Sequence, residues 1–251
     1  MSDALRLFGT RAIVTGAAGG IGEAIVRTFI KQGASVFAVD RPDSGIDTYF
    51  QSLRGVTPHL CTVTDRESAD EMVAAASEAL DGLDVVVNNG GVQSKSPIAD
   101  SDAAQLESFV ERKIQVYAAV SRAAFAHLER SPAGRIVNVG CVRSAFTKDG
   151  AAGFVRSERA LAELTNALAA EAGADGIPVN YIQPGAIMTP DSRRVFNDDK
   201  ELRDYCISRS AAKRLGEPVD VAKVALFLAS DDAVFVSGTG IVVDGGAVGT
   251  D

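Results

Sequence analysis

Cysteine, histidine and tryptophan are all scarce in this sequence. Its 251 residues include three cysteines, two histidines and no tryptophan. Cys61, Cys141 and Cys206 are odd in number and far apart, so they offer neither a disulfide framework nor the close spacing of metal ligands. This scarcity excludes a disulfide-stabilised secreted domain and a cysteine-based metal module, and we expect a protein of the reducing cytoplasm.

Clustered positive charge and long apolar runs are also missing. The net charge is −8, the pI is near 4.9, and no stretch is rich in lysine and arginine. The chain therefore lacks the basic surface that nucleic acids and anionic membranes require. No apolar run approaches the roughly 20 residues that span a bilayer, and no charged n-region precedes an apolar stretch near the start. We expect no nucleic-acid partner, no membrane association and no secretory signal.

Short apolar runs alternate with longer amphipathic segments along the whole chain, in which 46% of the residues are hydrophobic. This alternation is typical of an α/β fold, a doubly wound Rossmann-type parallel sheet of about seven strands with helices on both faces. No repeat or linker interrupts the alternation, so we predict one domain over residues 1–251, with a polar, less periodic segment at 190–214 as a candidate flap. Strands are predicted near residues 12–14, 34–39, 57–63, 84–87, 135–139, 178–182 and 240–243, and the longest helices near 102–129 and 152–172.

A glycine-rich turn, TGAAGGIG at residues 15–22, lies between the first predicted strand and the first predicted helix. Glycines there let the backbone approach a pyrophosphate, while the helix N-terminus supplies N–H groups and a partial positive charge. Asp40 closes the second strand about 20 residues later, where a carboxylate accepts hydrogen bonds from ribose hydroxyls and repels a 2′-phosphate. The pattern predicts a dinucleotide site that favours NAD over NADP, a preference that the neighbouring Arg41 weakens. In the alternative interpretation, the glycines only make a tight strand-to-helix turn.

Further motifs follow in order: Asn88-Asn89-Gly90, IVN at 136–138, Pro184-Gly185, Ile187-Met188-Thr189, RLGEP at 214–218 and VDGG at 243–246. With these motifs and the glycine-rich turn, the chain resembles the short-chain dehydrogenase/reductase family nearly from end to end. The resemblance implies a single dinucleotide-binding domain in which Thr189 faces the carboxamide of NAD, while Thr62 stands where an aspartate often contacts adenine. The cofactor-binding residues that the resemblance implies are Gly16, Gly20, Ile21, Gly22, Asp40, Asn89, Gly90, Pro184, Gly185 and Thr189.

The same resemblance reveals a departure at each position that carries the family's chemistry. The family's serine, tyrosine, lysine and asparagine align with Cys141, Phe154, Glu158 and Lys113. In the family, the tyrosine transfers the proton, and the lysine's positive charge stabilises the phenolate and holds the nicotinamide ribose. Phe154 has no ionisable proton, Glu158 reverses the local charge, and no Tyr-x-x-x-Lys occurs elsewhere in the chain. We therefore predict that the catalytic set is not intact.

Two interpretations of these changed positions stay open. If the site has drifted out of use, Glu158 is an ordinary surface or ion-paired group and Cys141 is a buried core thiol. If the site has been rebuilt, Cys141, Glu158 or Lys113 would serve an isomerase or a lyase. The second interpretation asks more of Cys141, because a thiol nucleophile needs a base or a positive neighbour to lower its pKa.

The leading functional hypothesis is a catalytically degenerate subunit that joins a homologous active subunit in an NAD-dependent alcohol dehydrogenase. The resemblance implies a tetramer that assembles through the two long helices and the C-terminal segment. Apolar positions on the first long helix are candidate contacts, although the same spacing suits packing on the sheet. A stand-alone sensor that binds NAD(H) without turnover is the alternative. The candidate contact positions are Val116, Ala119, Val120 and Ala123.

Overall fold

A parallel seven-stranded sheet organises the chain and confirms the predicted fold class. The structure is a computed structural model, and it describes residues 5–90, 103–141 and 151–247. Its strands are β1 (Arg11–Thr15), β2 (Ser35–Asp40), β3 (Val56–Leu60), β4 (Val85–Asn88), β5 (Arg135–Val139), β6 (Val179–Pro184) and β7 (Gly240–Val243). They lie in the order β3-β2-β1-β4-β5-β6-β7, and neighbouring strands are parallel. The order reverses between β1 and β4, which is where ligands of such sheets bind.

Helices cover both faces of this sheet. The helices of the described residues are α1 (Gly20–Lys31), α2 (Ile46–Phe50), α3 (Arg66–Leu80), α4 (Ala103–Leu128), α5 (Ala151–Ala172), α6 (Pro190–Asp198), α7 (Lys200–Arg209) and α8 (Pro218–Ala229). One apolar core lies between the sheet and the pair α1 and α8, and a second lies between the sheet and α3, α4 and α5. The central strands β4 and β5 are buried along their whole length, as is typical of parallel strands covered on both faces.

The strand at the edge of the sheet is shorter than predicted. The sequence predicts a strand over residues 57–63, whereas β3 ends at Leu60. β3 pairs only with β2 among the described strands, and it contains Pro58, which has no N–H to donate. An edge strand tolerates such a residue because one side of it needs no partner.

The segment at residues 190–214 is largely helical. Thr189 caps α6 by accepting a hydrogen bond from the backbone N–H of Ser192, and α7 follows almost directly. A small buried cluster lies between these two helices and adjacent segments of the same chain. Its buried members are Phe196, Leu202 and Cys206. The role of this segment as a flap stays a prediction, and the structure adds that its parts are regular helices with an apolar core of their own.

The apolar face of α4 packs on the chain's own sheet. Val120 is completely buried in the core beneath α3, α4 and α5, and Val116, Ala119 and Ala123 pack half-buried against the same core. Of the two uses that the sequence allows for these positions, the structure therefore favours sheet packing. Within the described parts of the chain, no helix is long and apolar enough to cross a bilayer.

Candidate functional site

An open cleft of about 740 Å³ lies at the carboxyl ends of the strands, where the strand order reverses. Seven of the ten predicted cofactor-binding residues line it: Gly16, Gly20, Ile21, Asp40, Asn89, Gly90 and Thr189. The cleft also contains residues that the sequence did not single out, Tyr49 from α2, Arg112 from α4 and Arg194 from α6, together with the expected Thr62. Gly22, Pro184 and Gly185 are not among the residues that line it.

The glycine-rich turn is held by close backbone packing. Gly16 has a positive φ of 59°, and a Cβ atom on it would overlap the Cα of Gly90. A Cβ on Gly22 would overlap the carbonyl oxygen of Gly16. By contrast, Cβ atoms on Gly19 and Gly20 would come no closer than 3.4 and 3.5 Å to their nearest neighbours, the side chains of Tyr49 and Thr189. The glycines therefore have two roles. Gly16 and Gly22 allow close packing behind the turn, and Gly19 and Gly20 leave its front open.

The first turn of α1 has no capping side chain, and its N-cap residue is Gly19. Orphan N–H groups at such a helix start, together with the partial positive charge of the helix, suit an anionic phosphate. The open front of the turn and the uncapped helix start fit the pyrophosphate of a dinucleotide.

Asn89 supports the turn from the neighbouring strand. Its Nδ2 atom donates to the carbonyl oxygens of Gly16 at 2.9 Å and Thr15 at 3.3 Å. The hydroxyl of Thr15 in turn accepts from the backbone N–H groups of Asn89 and Gly90, both at 3.1 Å. A Cβ on Gly90 would lie 2.7 Å from the nitrogen of Gly16, so this close approach accounts for glycine at position 90. Asn89 thus acts mainly as a support for the loop.

Asp40 ends β2 and turns its carboxylate towards the turn. Its oxygens accept hydrogen bonds from the backbone N–H groups of Ala18 and Arg41, both at 2.8 Å. Each carboxylate oxygen has a second lone pair that a ribose hydroxyl can use. The guanidinium of Arg41 lies between two carboxylates, 3.9 Å from Asp40 and 3.5 Å from Asp43, so negative charge offsets its positive charge.

The predicted residues after β6 have structural uses. A Cβ on Gly185 would lie 2.5 Å from the Cβ of Asp244, so glycine is needed where the chain leaves the sheet. The hydroxyl of Thr189 accepts from the Ser192 backbone N–H at 3.1 Å and lies 3.2 Å from the Ser192 hydroxyl. Thr189 lines the cleft as predicted, but its side chain is already engaged as the cap of α6.

Three of the four changed catalytic positions, Lys113, Cys141 and Glu158, converge at the end of β5. Together with Tyr117 and Ser157 they form what is called here the buried cluster. Lys113 Nζ lies 3.4 Å from Cys141 Sγ, which is also 3.4 Å from the Ser157 hydroxyl. Glu158 Oε1 accepts from the Cys141 backbone N–H at 3.0 Å. The Tyr117 hydroxyl donates to the Val139 carbonyl at 2.9 Å. Helices α4 and α5 therefore close over the end of β5 with their own polar side chains.

Burial governs the electrostatics of this cluster. Lys113 is 5% exposed, Cys141 8% and Glu158 4%. Burial raises the pKa of Glu158 to about 7, against the lowering effects of the Lys113 charge and the Cys141 backbone N–H. Burial lowers the pKa of Lys113, but acidic groups on Cys141, Tyr117 and Glu158 outweigh it and leave the pKa raised. The cluster therefore combines a buried cation, Lys113, with a carboxyl group, Glu158, that gains or loses its charge near neutral pH.

Glu158 departs from the expectation of an ordinary surface group. Its carboxylate lies against Gly140, where a Cβ would come within 2.5 and 2.6 Å of its two oxygens. Oε2 has no hydrogen-bond partner among the described residues. Gly140 leaves space directly after β5, and the side chain of residue 158 fills that space instead of reaching the cleft.

Sequence reasoning identified Lys113, Cys141 and Glu158 but missed Tyr117 and Ser157. One signal was present: Lys113 and Tyr117 are four residues apart on α4, a spacing that places two side chains on the same side of a helix. The Lys113 ammonium accordingly lies 5.2 Å from the centre of the Tyr117 ring. Phe154 lies in the first turn of α5, and its side chain is outside the described part of the structure. No group of His, Cys, Asp and Glu able to hold a metal ion occurs among the residues the structure describes.

Comparisons with known proteins agree with this fold and cleft. Residues 16–248 match the family model described as enoyl-(acyl carrier protein) reductase. The chain is 30% identical to the 3-oxoacyl-(acyl-carrier-protein) reductase FabG of Thermotoga maritima, over 97% of this chain and 100% of that protein. It is 33% identical to the meso-2,3-butanediol dehydrogenase of Serratia marcescens, over 95% of this chain and 94% of that protein. A crystal structure from Agrobacterium tumefaciens, described as that of a gluconate dehydrogenase candidate, superposes with a TM-score of 0.86 at 27% identity over 99% of both chains.

Proposed function

Because this chain belongs to the short-chain dehydrogenase/reductase family, we propose that it is the non-catalytic subunit of an NAD-dependent alcohol dehydrogenase. A homologous chain with an intact serine, tyrosine and lysine would supply the active site, and the two chains would form a heterotetramer. The similar proteins named as dehydrogenases and reductases support oxidoreductase chemistry for such a complex.

The observation that carries this proposal is the buried cluster. Position 158, where the family has lysine, holds a carboxylate that is 4% exposed and bonded to the Cys141 backbone. A general acid must lie within hydrogen-bond reach of the atom that it protonates. Since Lys113, Cys141 and Glu158 are bonded within the cluster and almost unexposed, they are poorly placed to transfer a proton to a molecule in the cleft.

The cleft suits NAD better than NADP. Asp40 closes β2 with a carboxylate that would repel a 2′-phosphate, and the opposing charge of Arg41 is offset by Asp40 and Asp43. Bound to an active chain of the complex, NAD would supply the hydride acceptor for oxidation of the alcohol. In this chain, the uncapped start of α1 would hold the pyrophosphate, and Asp40 would hold the adenosine ribose.

Exposed apolar side chains support assembly through the C-terminal segment. Phe235 is fully exposed, and Val234 and Val242 are more than two-fifths exposed. All three lie in the stretch from the end of α8 to β7, which is the edge strand of the described sheet on that side. Exposed apolar groups at and next to a sheet edge in the sequence are typical of a protein interface. We assign this surface to contact with a homologous chain.

The substrate proposal follows from the resemblance. One two-subunit dehydrogenase of this family acts on 2-(hydroxybenzyl)succinyl-CoA, and this chain resembles an inactive partner of that kind. The reaction of such a complex converts the secondary alcohol and NAD⁺ into the ketone, NADH and a proton. We propose this thioester as the first substrate to test with the assembled complex.

Enzyme assays of the chain alone and of the native complex test the proposal. The purified chain should give no NAD-dependent turnover with this alcohol, whereas the complex isolated from its own cells should produce one NADH for each alcohol oxidised. Robust turnover by the purified homo-oligomer would overturn the assignment as a non-catalytic subunit. Absence of turnover by a verified heteromeric complex would overturn the assignment of this substrate.

The second candidate is a stand-alone NAD(H) sensor, and the preserved geometry of the glycine-rich turn favours it. It predicts a homo-oligomer that binds NAD(H) without turnover. Rebuilt isomerase or lyase chemistry is a third candidate, which the burial of the cluster disfavours. In the third case, alanine at one of these positions, Cys141, Glu158 or Lys113, would abolish an activity of the pure protein.

A further inference from the structure

We propose that Arg194 of α6 binds the pyrophosphate of the nucleotide, opposite the start of α1. This role rests on the nucleotide site of the proposed function, and it adds to that site a residue outside the glycine-rich turn and the other sequence motifs. It concerns the cleft of the isolated protein, so it can be tested without a partner chain.

Helix α6 begins directly against the glycine-rich turn. A Cβ atom on Gly20 would lie 3.5 Å from the Thr189 side chain and 3.8 Å from the Cδ atom of Pro190, which are ordinary contact distances. Gly20 is the first residue of α1, and Thr189 is the N-cap of α6, so both helices begin at the same part of the cleft. Because the N-terminal end of a helix carries a partial positive charge, an anion held there is attracted by both helices.

The buried side of α6 holds the helix in this place. Phe196 is completely buried and Ser192 is 3% exposed, and the Ser192 hydroxyl donates to the carbonyl oxygen of Ile187 at 2.6 Å. Asp191 and Arg194 line the cleft, and their spacing of three residues places them on the same side of the helix. Packing of the opposite side therefore keeps Arg194 beside the cleft.

Local placement rather than net charge decides where an anion binds in this cleft. Three arginines and three aspartates line it, so their formal charges balance. The six residues are Arg41, Arg112, Arg194, Asp40, Asp43 and Asp191. Arg41 lies between two of these carboxylates, and Arg112 donates to the Ser108 hydroxyl on α4 at 2.9 Å. Arg194 lies on the helix whose start contacts Gly20, and a guanidinium forms paired hydrogen bonds with phosphate oxygens.

Asp191 should have the opposite effect on the same ligand. Its carboxylate lies in the first turn of α6 and lines the same cleft as Arg194. A negative charge there repels a phosphate and attracts the guanidinium that the phosphate would use. Removal of this charge should therefore strengthen nucleotide binding, whereas removal of the Arg194 charge should weaken it.

Isothermal titration calorimetry of the purified chain with ADP-ribose and NAD⁺ tests this role. At about 50 mM salt, Arg194→Gln should weaken both ligands by the same factor, about tenfold, because both carry the same pyrophosphate. Asp191→Asn should strengthen both about threefold. Arg193→Gln is the matched control, since Arg193 is equally charged, exposed and adjacent but is not among the residues that line the cleft. It should change neither affinity by more than about twofold.

Salt gives an independent readout, because screening at about 0.5 M should reduce the difference between wild type and Arg194→Gln. Unchanged binding by Arg194→Gln, equal losses in the two arginine variants, or a loss for NAD⁺ alone would overturn the role of Arg194 at the pyrophosphate. Failure of the wild-type chain to bind either ligand would overturn it together with the nucleotide site of this chain. None of these results bears on the subunit assignment, which rests on the native mass. Thermal unfolding of each variant checks that it is folded.

Discussion

At the residue scale, Glu158 is the most informative side chain of the buried cluster. A carboxylate in place of a lysine would be expected to repel a phenolate or to lie in solvent. In the structure it fills the space above Gly140, and its neighbour Lys113 is buried with it. Two buried charges gain little net stability from their attraction because both lose water. The charges of the cluster should therefore be sensitive to pH and to the removal of either partner.

The first prediction concerns pH. Glu158 has a pKa of about 7 when folded against an ordinary value of 4.5, so between these values the folded state holds a proton that the unfolded state has lost. Stability from this group is therefore full below about pH 4.5 and falls as the pH rises through 7. Urea unfolding of wild type and Glu158→Gln should show the variant gaining on the order of 2–3 kcal/mol relative to wild type between pH 5 and pH 8. A difference that is independent of pH would refute this prediction.

The second prediction concerns the cation. Lys113→Met leaves the buried Glu158 carboxylate without its positive neighbour, so the free energy of unfolding at pH 8 should fall by about 3 kcal/mol. The double variant Lys113→Met/Glu158→Gln should recover most of this loss, since neither charge remains buried. Lys223→Met, at an exposed position of α8, is the control and should change stability by less than about 0.5 kcal/mol. Equal losses in the single and double variants would exclude the proposed pairing.

At the element scale, helices and strands were predicted correctly wherever a single periodic pattern of apolar residues determines the structure. The buried strands β4 and β5 were predicted within about one residue, because strands covered on both faces are continuous apolar runs. The tight turn before α1 was predicted from its glycines. What the sequence could not supply was the use of particular side chains: Thr189 was expected at the nicotinamide, and its hydroxyl also caps α6. Such pairings depend on three-dimensional neighbours that periodicity does not encode.

The third prediction belongs to the turn between β1 and α1. A methyl group on Gly22 would overlap the Gly16 carbonyl oxygen, so Gly22→Ala should destabilise the fold by about 2 kcal/mol or more and weaken nucleotide binding at least tenfold. Gly173→Ala is a matched control, because no atom lies within 4 Å of its Cβ position, and it should leave both properties unchanged. Calorimetry and urea unfolding measure the two effects. Normal binding by Gly22→Ala would mean that the turn is not the phosphate site.

At the scale of the whole molecule, the cleft and the exposed apolar side chains lie on different parts of the fold. The cleft lies at the carboxyl ends of β1, β2 and β4. The exposed apolar groups lie in and before β7, which is an edge strand of the sheet. In the proposed subunit, a loss of chemistry at the end of β5 would therefore leave the proposed assembly surface unaffected. The resemblance predicted assembly through the two long helices and the C-terminal segment, and this stays a prediction. The structure adds that the apolar stripe of α4 faces the chain's own core and that Phe235 is exposed before β7, which only the three-dimensional arrangement reveals.

The fourth prediction concerns this surface. Phe235→Ser removes a fully exposed aromatic group, and aromatic groups often contribute most of the binding energy of an interface. Recovery of the partner chain with the tagged variant should fall at least about tenfold. Phe8→Ser, which alters an equally large and 82% exposed side chain near the N-terminus, should leave recovery unchanged. If Phe8→Ser alone reduces recovery, the interface lies elsewhere on the molecule.

The native mass and composition of the tagged chain, isolated gently from its own cells, decide whether this protein is a subunit of a heteromer. We predict a heteromer that contains, in fixed stoichiometry, a second chain of similar size carrying Tyr-x-x-x-Lys. A homo-oligomer with no such chain would contradict it.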